Sequence, residues 1–488
     1  MPEGPYVVAG LGQAGRAAVD ALCRVEGSER VLASDRHRHK VPKRVRRALE
    51  AAGVRTHLGS QRRALELPPE PRTLVKSPGI PIDAPMLQLA RERGLEVLDE
   101  LELGWRLNST PMIAVTGTNG KTTTSTLAAA VLAEAGLRVS LAGNADTAPP
   151  LSALREDLDL IVCEVSSFQL EACPSLLPEV AVFTNLTHDH LSRHGTMRRY
   201  GEVKRSLFMK EGEAVPLAVV DTTDDFGRKL ADDVECAGGR VVRVGAGEEA
   251  DYRIRDARWD LRTAEVELST PSGRLTLATR LPGHHNARNA AAAVALGDLL
   301  DVERTVLTEV LATHPGARGR FEHLDCGQDH ELILDTASSP AATKQFLTAV
   351  RAGMDPSARL HAVLGVLGAA DPAQRHAIGR VARMLCDRLV LTVGSFHSNP
   401  SLRTLEGLVS GARRVPGAEL AIVPDRTEAI ANAVRGALPG DVVAILGRGN
   451  VVESIHDRKV DDRDSLSRVF EGRRRYLDPV GAGKAPTL

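Results

Sequence analysis

The segment VTGTNGKTTTS, residues 115–125, has the residue types of a phosphate-binding loop that leads into a helix. Gly117 and Gly120 allow the backbone to approach a ligand closely, and the helical run that follows would aim its first amides at a polyphosphate. Lys121 would reach the terminal phosphates, and the Thr122 hydroxyl would bind Mg²⁺. The predicted nucleotide contacts in this loop are Gly117, Thr118, Asn119, Gly120, Lys121, Thr122 and Thr123. We therefore expect ATP or GTP to bind here.

This loop departs from the strict Walker motif at one position. Val115 stands where the first glycine of that motif belongs. The alternative interpretation is a turn that only joins a strand to a helix. The string GTNGKTT, placed between an apolar strand and a long alanine-rich helix, favours nucleotide binding.

A second glycine-rich segment, GLGQAG at residues 10–15, follows the apolar strand YVVA, and the next predicted strand ends at Asp35. This order is typical of a Rossmann-like βαβ unit. Taken alone, it suggests NAD, with Asp35 on a ribose hydroxyl. The alternative is that the glycines only let a helix pack closely on a strand. The motif does not identify the nucleotide.

Of two further polar side chains, Glu164 stands where catalytic groups are often found. Glu164 ends the predicted strand LDLIVCE, and His190 lies in the segment THDH. Ligand-binding groups gather at the carboxyl ends of parallel strands. The alternatives are a solvated strand terminus for Glu164 and a local hydrogen bond for His190.

Lys204 lies in the helical segment RRYGEVKRSLF, residues 198–208. It is four residues from both Tyr200 and Phe208, so it shares their apolar face. A lysine on a buried face is costly unless it is paired or chemically altered. The alternative is a packed aliphatic stem with its ammonium group in water.

The elements that position these residues form three blocks of alternating strands and helices. This pattern predicts an α/β protein with parallel sheets flanked by helices. We expect a Rossmann-like N-terminal domain over residues 1–110, a central P-loop ATPase domain over 111–313 and a Rossmann-like C-terminal domain over 314–488. The tail GRRRYLDPVGAGKAPTL is predicted to be frayed.

Composition restricts the possible partners. The chain has 488 residues, with 62 basic against 63 acidic side chains and only 3% aromatic residues, so we expect no nucleic acid and no membrane as partner. It has no apolar run of about 18 residues and no secretion signal, which predicts a cytoplasmic protein. Six dispersed cysteines suit reduced thiols. The basic run RHRHKVPKRVRR, residues 36–47, is interpreted as a solvated face, and the alternatives are steering of a diphosphate sugar toward the first domain and binding of nucleic acid.

Four motifs occur in a fixed order: GTNGKTT, VCEVSSFQLE, FTNLTHDHLSRHGTMRRYGEVKRSLF and LPGHHNARNAAAAVAL. Together they resemble the Mur ligase family, whose members are ATP-dependent amide-bond ligases that build the peptidoglycan stem peptide. The resemblance covers almost the whole chain. It implies a substrate domain, a central ATPase domain and a C-terminal domain that brings the amino acid.

The resemblance also implies a mechanism. Such a ligase transfers the γ-phosphoryl group of ATP to a carboxylate, and an amine then displaces the acyl phosphate. Two Mg²⁺ ions would neutralise the approaching anions. The implied metal site consists of Thr122, Glu164, His190 and Lys204. In the family the lysine matching Lys204 is carbamylated by CO₂, which makes it an anionic support for the second ion.

Further cofactor contacts follow from the resemblance. His285, Asn286 and Asn289 would lie near the adenine, and the alternative role of the two asparagines is to cap the alanine-rich helix. Arg320, in ARGRFE, corresponds to an arginine that reaches the ATP phosphates from the third domain, and Asp335 to a group that orients nucleotide or hinge.

The first block most resembles the branch of the family that adds glutamate to UDP-N-acetylmuramoyl-L-alanine. The similarity rests on GLGQAG, the SD pair that ends in Asp35, VKSPGIP and AGNADT. The implied UDP-sugar contacts are Gly12, Gln13, Asp35, Arg36, Ser77, Pro78, Gly79 and Asn144. We expect a monomer whose substrates are the UDP-sugar acid and an amino acid.

The identity of the amino acid is less constrained. NLTHDHLSRHGT and DDRD, residues 461–464, are more similar to the branch that adds a diamino acid. The lysine usual in the glutamate branch is missing from LDTASSPAAT, and FHSNP replaces the diamino acid signature DNPR. Glutamate is the first choice, and a diamino acid or the acid of a secondary pathway is the alternative. An NAD-dependent oxidoreductase and a noncatalytic ATP-binding relative remain as alternatives of another class.

Overall fold

The computed structural model describes residues 1–67, 70–107, 109–144, 147–367, 371–394, 399–451, 453–455 and 458–470. The predicted frayed tail after residue 470, most of FHSNP and two residues of AGNADT lie outside the described residues. The described part has mixed α/β architecture with three main sheets, as the alternation of strands and helices predicts.

The first sheet has five parallel strands in the order β3-β2-β1-β4-β5. Its strands are β1 Tyr6–Ala9, β2 Val31–Asp35, β3 Arg55–Leu58, β4 Thr73–Lys76 and β5 Glu96–Asp99. The helices beside them are α1 Gln13–Glu26, α2 Lys43–Ala51, α3 Gln61–Ala64, α4 Pro85–Glu92 and α5 Glu100–Arg106, with short 3₁₀ turns at Ser28–Arg30 and Arg38–Lys40. This strand order is that of a Rossmann-like sheet.

Gly15 explains one part of the first glycine motif. A Cβ atom there would lie 1.8 Å from the carbonyl oxygen of Gly10, so α1 packs on the end of β1 only because residue 15 has no side chain. A Cβ at Gly12 would meet nothing within 4 Å, which leaves that glycine open to solvent. The packing interpretation therefore accounts for Gly15, and Gly12 remains accessible to a ligand.

The central sheet has nine strands in the order β16-β15-β14-β13-β12-β9-β6-β8-β7. The strands of this region are β6 Met112–Thr116, β7 Val139–Gly143, β8 Leu160–Glu164, β9 Val180–Phe183, β10 Met209–Lys210, β11 Glu213–Ala214, β12 Leu217–Asp221, β13 Arg240–Gly245, β14 Tyr252–Trp259, β15 Ala264–Thr270 and β16 Gly273–Thr279. Its helices are α6 Lys121–Glu134, α7 Pro149–Ala153, α8 Ser167–Leu170, α9 Leu191–His194, α10 Met197–Arg205, α11 Asp225–Cys236, α12 His284–Leu299 and α13 Arg304–Thr313. β10 and β11 form a separate hairpin.

The sheet is parallel from β7 to β14, but β14, β15 and β16 pair antiparallel. The expectation of a wholly parallel central sheet is wrong at this edge. β15 alternates buried and exposed residues, which is the period of a strand with one solvated face. That alternation is visible in AEVELST and was the signal available in the sequence.

The third sheet follows the order β17-β18-β22-β19-β20-β21, with only β17 antiparallel to its neighbour. Its strands, with a following hairpin of β23 and β24, are β17 Glu322–His323, β18 Glu331–Asp335, β19 Leu360–Leu364, β20 Arg388–Leu391, β21 Glu419–Ile422, β22 Val442–Leu446, β23 Glu453–Ile455 and β24 Arg458–Val460. The helices are α14 Pro340–Gly353, α15 Pro372–Leu385, α16 Asn399–Arg413, α17 Arg426–Gly436 and α18 Asp462–Val469.

The first two residues of the segment DDRD make structural contacts at the start of α18. Asp461 caps α18 by accepting from the amides of Arg463 and Asp464. Asp462 accepts from Nε and a terminal nitrogen of the buried Arg426 at 2.6 and 2.7 Å. These contacts explain both aspartates without an amino-acid substrate.

The first two sheets are joined by buried polar contacts. Lys76, at the end of β4, pairs with Asp99 at 2.7 Å and donates to the carbonyl of Phe168 at 3.2 Å. Beside this pair, the Gln169 amide donates to a Glu100 carboxyl oxygen at 2.9 Å. α5 and α8 therefore fix the carboxyl edge of the first sheet against the central one.

The cysteines and the helix lengths bear on two expectations from composition. All six cysteines are free thiols, as predicted, although Cys236 is exposed and Cys23 half-buried. Among the described residues, every helix is too short or too polar to cross a bilayer.

Candidate active site

The loop between β6 and α6 takes its shape from two glycines. Gly117 has φ +147° and Gly120 has φ +86°, both of which favour residues without a side chain. A Cβ at Gly117 would lie 1.9 Å from the Thr184 hydroxyl oxygen. The β6–α6 turn is therefore closely packed, and it begins a helix at Lys121, as the sequence predicts.

The segment after β9 holds this loop in place. Asn185 accepts from the amides of Thr118 and Asn119, at 2.8 Å with its carbonyl and 3.1 Å with its side-chain oxygen. The Thr184 hydroxyl donates to the Asn119 carbonyl at 2.6 Å. Sequence reasoning missed Thr184 and Asn185, because their role depends on β9 lying beside β6 in the sheet.

The start of α6 is suited to an anion. Gly120 is the N-cap and has no side chain, so the amides of Lys121, Thr122 and Thr123 are available to a ligand. The Lys121 ammonium folds back onto the carbonyls of Gly117 and Thr118 at 3.2 and 2.8 Å. Desolvation in the cleft lowers the pKa of Lys121, and the nearby Glu164 opposes that shift. A phosphate would offer this lysine a stronger partner than two carbonyls.

Glu164 lies at the end of β8, next to the loop. It accepts from the Thr122 hydroxyl at 2.8 Å and from the Asn144 side-chain amide at 3.0 Å. Arg320 of the third region donates to the same Thr122 hydroxyl at 3.3 Å. The structure thus brings together four residues that the sequence placed in four separate motifs.

Two of these groups have the chemistry of a Mg²⁺ site. The Thr122 hydroxyl and the Glu164 carboxylate present adjacent hard oxygen donors. The described residues contain no group of three or more His, Cys, Asp or Glu side chains that could hold a metal ion. Mg²⁺ does not need such a group, because it is commonly held by one or two carboxylates together with phosphates and water.

His190 lies on the same cleft but apart from the Thr122–Glu164 contact. It is the N-cap of α9 in a left-handed conformation, φ +53°, and its ring is half-exposed. The ring of Phe168 packs beside it at 5.0 Å between centroids. Asp189, which the sequence analysis did not select, also lines the cleft.

Lys204 is buried, as its position on the apolar face of α10 predicts. Its ammonium donates to the Gly117 carbonyl at 2.6 Å and lies 4.6 Å from the centre of the Tyr200 ring. Burial lowers the pKa of Lys204 well below its usual value, and the neighbouring Lys121 lowers it further. The interpretation as a solvated ammonium on a packed stem is wrong. Lys204 supports the loop from behind and is not in the cleft wall formed by Glu164 and His190.

The polar start of α12 faces α6. The side-chain oxygen of Asn289 accepts from the Thr124 hydroxyl at 3.2 Å, and its side-chain amide nitrogen donates to the side-chain oxygen of Asn286 at 3.1 Å. Asn286 donates in turn to the carbonyl of Pro282 at 2.9 Å. Neither asparagine caps the helix, because its N-cap is Gly283. The capping alternative is therefore wrong. Burial lowers the pKa of the adjacent His285 to about 4.

The third region, which contains Arg320 and Asp335, forms the opposite wall of the cleft. Asp335 accepts from the amides of Phe321 and Ala337 at 2.8 and 2.7 Å, which fixes the segment that bears Arg320. The cleft between the two regions has a volume of about 320 Å³. Its third-region wall includes Ser338, Ser339, Ala342, Gln345 and Phe346.

The residues expected to bind a UDP-sugar lie mainly at the carboxyl edge of the first sheet. Gln13 and Arg36 are exposed there with Gly12. The Asp35 carboxylate accepts from the amides of Leu11 and His37, each at 2.8 Å. The Asp35 carboxylate therefore holds the backbone around it in place, and its contact with a ribose stays a prediction.

The segment Ser77-Pro78-Gly79 borders the same edge. The Ser77 hydroxyl donates to the Gly10 carbonyl at 2.9 Å, whereas Gly79 is exposed and a Cβ there would meet nothing within 4 Å. Of the expected sugar contacts only Asn144 lines the central cleft, through its bond to Glu164.

Comparisons with known proteins agree with this arrangement. The profile of the Mur ligase middle domain matches residues 115–297, and that of the Mur ligase glutamate ligase domain matches residues 319–449. The computed structure is similar to that of UDP-N-acetylmuramate-alanine ligase from Thermotoga maritima, with a TM-score of 0.61 at 20% identity over 96% of this chain and 99% of that one. The three-domain fold is therefore that of these ligases.

Two curated relatives differ in the amino acid that their names specify. UDP-N-acetylmuramoylalanine–D-glutamate ligase of Microcystis aeruginosa is 34% identical over 340 residues, 68% of this chain and 72% of the relative. UDP-N-acetylmuramoyl-L-alanyl-D-glutamate–2,6-diaminopimelate ligase of Syntrophomonas wolfei is 31% identical over 391 residues, 74% of this chain and 78% of the relative. The chain belongs to the Mur ligase family of ATP-dependent, ADP-forming amide ligases in peptidoglycan precursor synthesis.

Proposed function

We propose that this chain joins glutamate to UDP-N-acetylmuramoyl-L-alanine through an acyl phosphate. The observation that carries the proposal is the convergence on Thr122, which donates to Glu164 at 2.8 Å and accepts from Arg320 at 3.3 Å. This contact connects a phosphate loop, an acidic oxygen donor and a guanidinium from a second domain. Such a set suits the transfer of a phosphoryl group between two anions.

ATP would bind with its phosphates at the start of α6. The amides of Lys121, Thr122 and Thr123 and the Lys121 ammonium would hold the β- and γ-phosphates, and Arg320 would reach the same group from the third domain. Asn289 contacts α6 and Asn286, and both asparagines would lie near the adenine. Bound Mg²⁺, held by Thr122 and Glu164, would neutralise charge between phosphate and carboxylate. Domain closure onto Arg320 would exclude water from the reactive acyl phosphate.

His190 and Lys204 complete the proposed centre. His190 lines the cleft and would act as a further ligand of Mg²⁺. A carbamate on Lys204 would turn the buried amine into an anion next to Lys121. The burial of Lys204 and the proximity of a second ammonium support this, because an anion there would relieve both costs.

The UDP-sugar acid would lie across the carboxyl edge of the first sheet. Gly12, Gln13 and Arg36 and the loop Ser77-Pro78-Gly79 are accessible at that edge. Asn144 would meet the acid where the first domain approaches Glu164. All of these residues come from one chain, so we propose that a monomer is active. Because its substrates are ATP and a nucleotide sugar, we place the enzyme in the cytoplasm.

The incoming amine is the least constrained part of the proposal. The third-domain wall offers the Ser338 and Ser339 hydroxyls and the Gln345 amide, and Ala337 stands in the segment where the glutamate branch usually has a lysine. Relatives named for diaminopimelate match 74% of this chain at 31% identity, which favours a diamino acid as the second candidate. An NAD-dependent oxidoreductase fits less well, because both Asp35 oxygens are engaged by backbone amides.

A substrate panel tests the proposal. Purified protein with ATP, Mg²⁺ and UDP-N-acetylmuramoyl-L-alanine would be given single amino acids, and products would be identified by mass. The proposal predicts ADP release and a glutamyl product that both require the acid and the amine. The Lys121→Ala variant serves as the inactive control. Product from the dipeptide-bearing sugar and a diamino acid alone would replace glutamate with the second candidate, and no product from either would reject both.

A further inference from the structure

The substrate loop of the first domain is held by an arginine of the central domain. A terminal nitrogen of Arg193 donates to the carbonyls of Ile80 at 2.8 Å and Pro78 at 3.3 Å, and the other donates to Gly79 at 3.4 Å. Three successive carbonyls therefore turn toward a single guanidinium. Arg193 comes from α9, more than one hundred residues away in the chain.

The guanidinium is itself fixed from the other side. Nε and a terminal nitrogen of Arg193 donate to both oxygens of Glu171, at 2.9 and 2.5 Å, and the Phe168 ring lies 4.8 Å below the guanidinium carbon. Both side chains of the ion pair are largely shielded from solvent, with 13% of the Arg193 and 5% of the Glu171 side chain exposed. A bidentate, stacked guanidinium loses most of its freedom before any ligand arrives.

His194 does not compete for Glu171. Its Nδ1 lies 3.7 Å from that carboxylate, and its Nε2 shares a hydrogen with the Ser167 hydroxyl at 2.9 Å. Burial lowers the pKa of His194 to about 4. Arg193 is thus the charged partner of Glu171 in this cluster.

The same short helix also carries a residue of the proposed catalytic centre. His190 is the N-cap of α9, and the amide of Arg193 donates to the His190 carbonyl at 2.9 Å. Phe168 packs against both side chains, the ring of His190 and the guanidinium of Arg193. A single helical turn therefore contacts the substrate loop with one residue and the nucleotide cleft with another.

We propose that Arg193 is a positioning residue that presets the loop of Ser77-Pro78-Gly79-Ile80 for the UDP-sugar acid and aligns it with the His190 side of the catalytic cleft. With its carbonyls drawn to Arg193, the loop keeps Gly79 exposed and open toward the substrate side. This inference rests on the proposed function for the identity of the acid. The competing explanation is a tether that only joins two domains.

Kinetics separate the two explanations. Arg193→Ala would leave Glu171 buried without its partner and could unfold the region. We therefore choose Arg193→Met combined with Glu171→Gln, which removes both charges, and Arg193→Lys, which keeps one donor. Arg198→Met, which removes an exposed ion pair with Glu202, is the matched control.

For the double variant we expect the KM for the UDP-sugar acid to rise at least about tenfold while the KM for ATP changes less than about twofold. Arg193→Lys should fall between the double variant and the wild type, and Arg198→Met should match the wild type. An equal rise in both KM values, or no rise in either, would overturn the positioning role.

A second readout does not need turnover. Amide hydrogen exchange of residues 77–84 should be faster in the double variant, because the Ile80 amide bond to the Ser77 carbonyl closes this turn at 3.0 Å. Exchange in α1 should stay as in the wild type. Unchanged exchange in the loop would overturn the inference. If the wild type forms no product with any UDP-sugar acid, the proposed function fails, and the exchange comparison still decides what Arg193 does to the loop.

Discussion

Lys121 and Lys204 donate to one and the same carbonyl oxygen, that of Gly117, at 3.2 and 2.6 Å. Two amines on a single neutral acceptor repel each other when both are charged, and Lys204 has no exposed side from which water could screen it. The repulsion between the two ammonium groups falls when an anion reaches Lys121 or when Lys204 loses its positive charge. ATP supplies the first change, and carbamylation would supply the second.

The first prediction concerns Lys204. Replacement by alanine should reduce ligase activity at least about hundredfold, because the loop loses its support and the proposed anion. A short carboxylate such as acetate should restore part of the activity by occupying the vacated space. Carbon-13 bicarbonate should give a carbamate signal in the wild type that is missing in Lys204→Ala. Full activity of the variant without any addition would exclude this role.

The second prediction concerns Lys121. Lys121→Ala should lower kcat at least about hundredfold, because the γ-phosphate loses its closest cation. Its effect on stability should be small, since the Lys121 ammonium contacts only two loop carbonyls. Initial-rate assays of ADP release and a urea unfolding curve measure the two effects. Lys229→Ala on α11 is the control for loss of a lysine elsewhere. A variant that hydrolyses or transfers phosphate at the wild-type rate would contradict the account.

The third prediction separates backbone strain from a steric contact in the loop. Gly120 and Gly136 have similar positive φ angles, +86° and +92°, so the backbone strain of an alanine at either should cost about 1 kcal/mol in the free energy of unfolding. Only at Gly120 would the new Cβ meet a neighbour, the side-chain oxygen of Asn289 at 2.5 Å, whereas at Gly136 nothing lies within 4 Å.

Gly120→Ala should therefore raise the KM for ATP, and Gly136→Ala should leave it unchanged. Equal KM values in the two variants would show that the contact between the loop and α12 has no role in nucleotide binding.

The fourth prediction concerns pH and the contact between the first two sheets. Burial, together with the neighbouring Asp99, raises the pKa of Glu100 to about 8. Burial also raises the pKa of Asp99 to about 6, although Lys76 at 2.7 Å opposes that shift. Since the folded state holds the Glu100 proton more tightly than the unfolded state, stability should fall as the pH rises from about 4.5 toward 8.

Glu100→Gln removes this titration while its amide oxygen can still accept from Gln169. The variant should match the wild type near pH 5 and exceed it by at least about 1 kcal/mol at pH 8, as measured by urea unfolding. The exposed Glu92→Gln serves as the control. A difference between Glu100→Gln and wild type that is constant over this range would show that Glu100 is ionised in the folded protein.

Several features of this protein could be predicted from the sequence, because they depend on neighbouring residues. The β6–α6 turn with Gly117 and Gly120 is specified by a few adjacent positions, and the burial of Lys204 follows from its helical spacing to Tyr200. The parallel sheets follow from alternating strands and helices in the same way.

Other features depend on which strands become neighbours, and this is not written in any local pattern. Asn185 holds the phosphate loop only because β9 lies beside β6, and Arg193 reaches Pro78 only because α9 faces the first sheet. The motif around Asp35 predicts a ribose contact from its spacing, and this contact stays a prediction. The structure adds that the Asp35 carboxylate accepts from two backbone amides.

The formation of an acyl phosphate is the central claim, and oxygen isotope transfer tests it most directly. UDP-N-acetylmuramoyl-L-alanine labelled with oxygen-18 in its terminal carboxylate would be turned over with ATP and the preferred amino acid. The account predicts one labelled oxygen in each inorganic phosphate released, because that oxygen bridges carbon and phosphorus before the amine attacks. Amide product accompanied by phosphate that carries no label would contradict it.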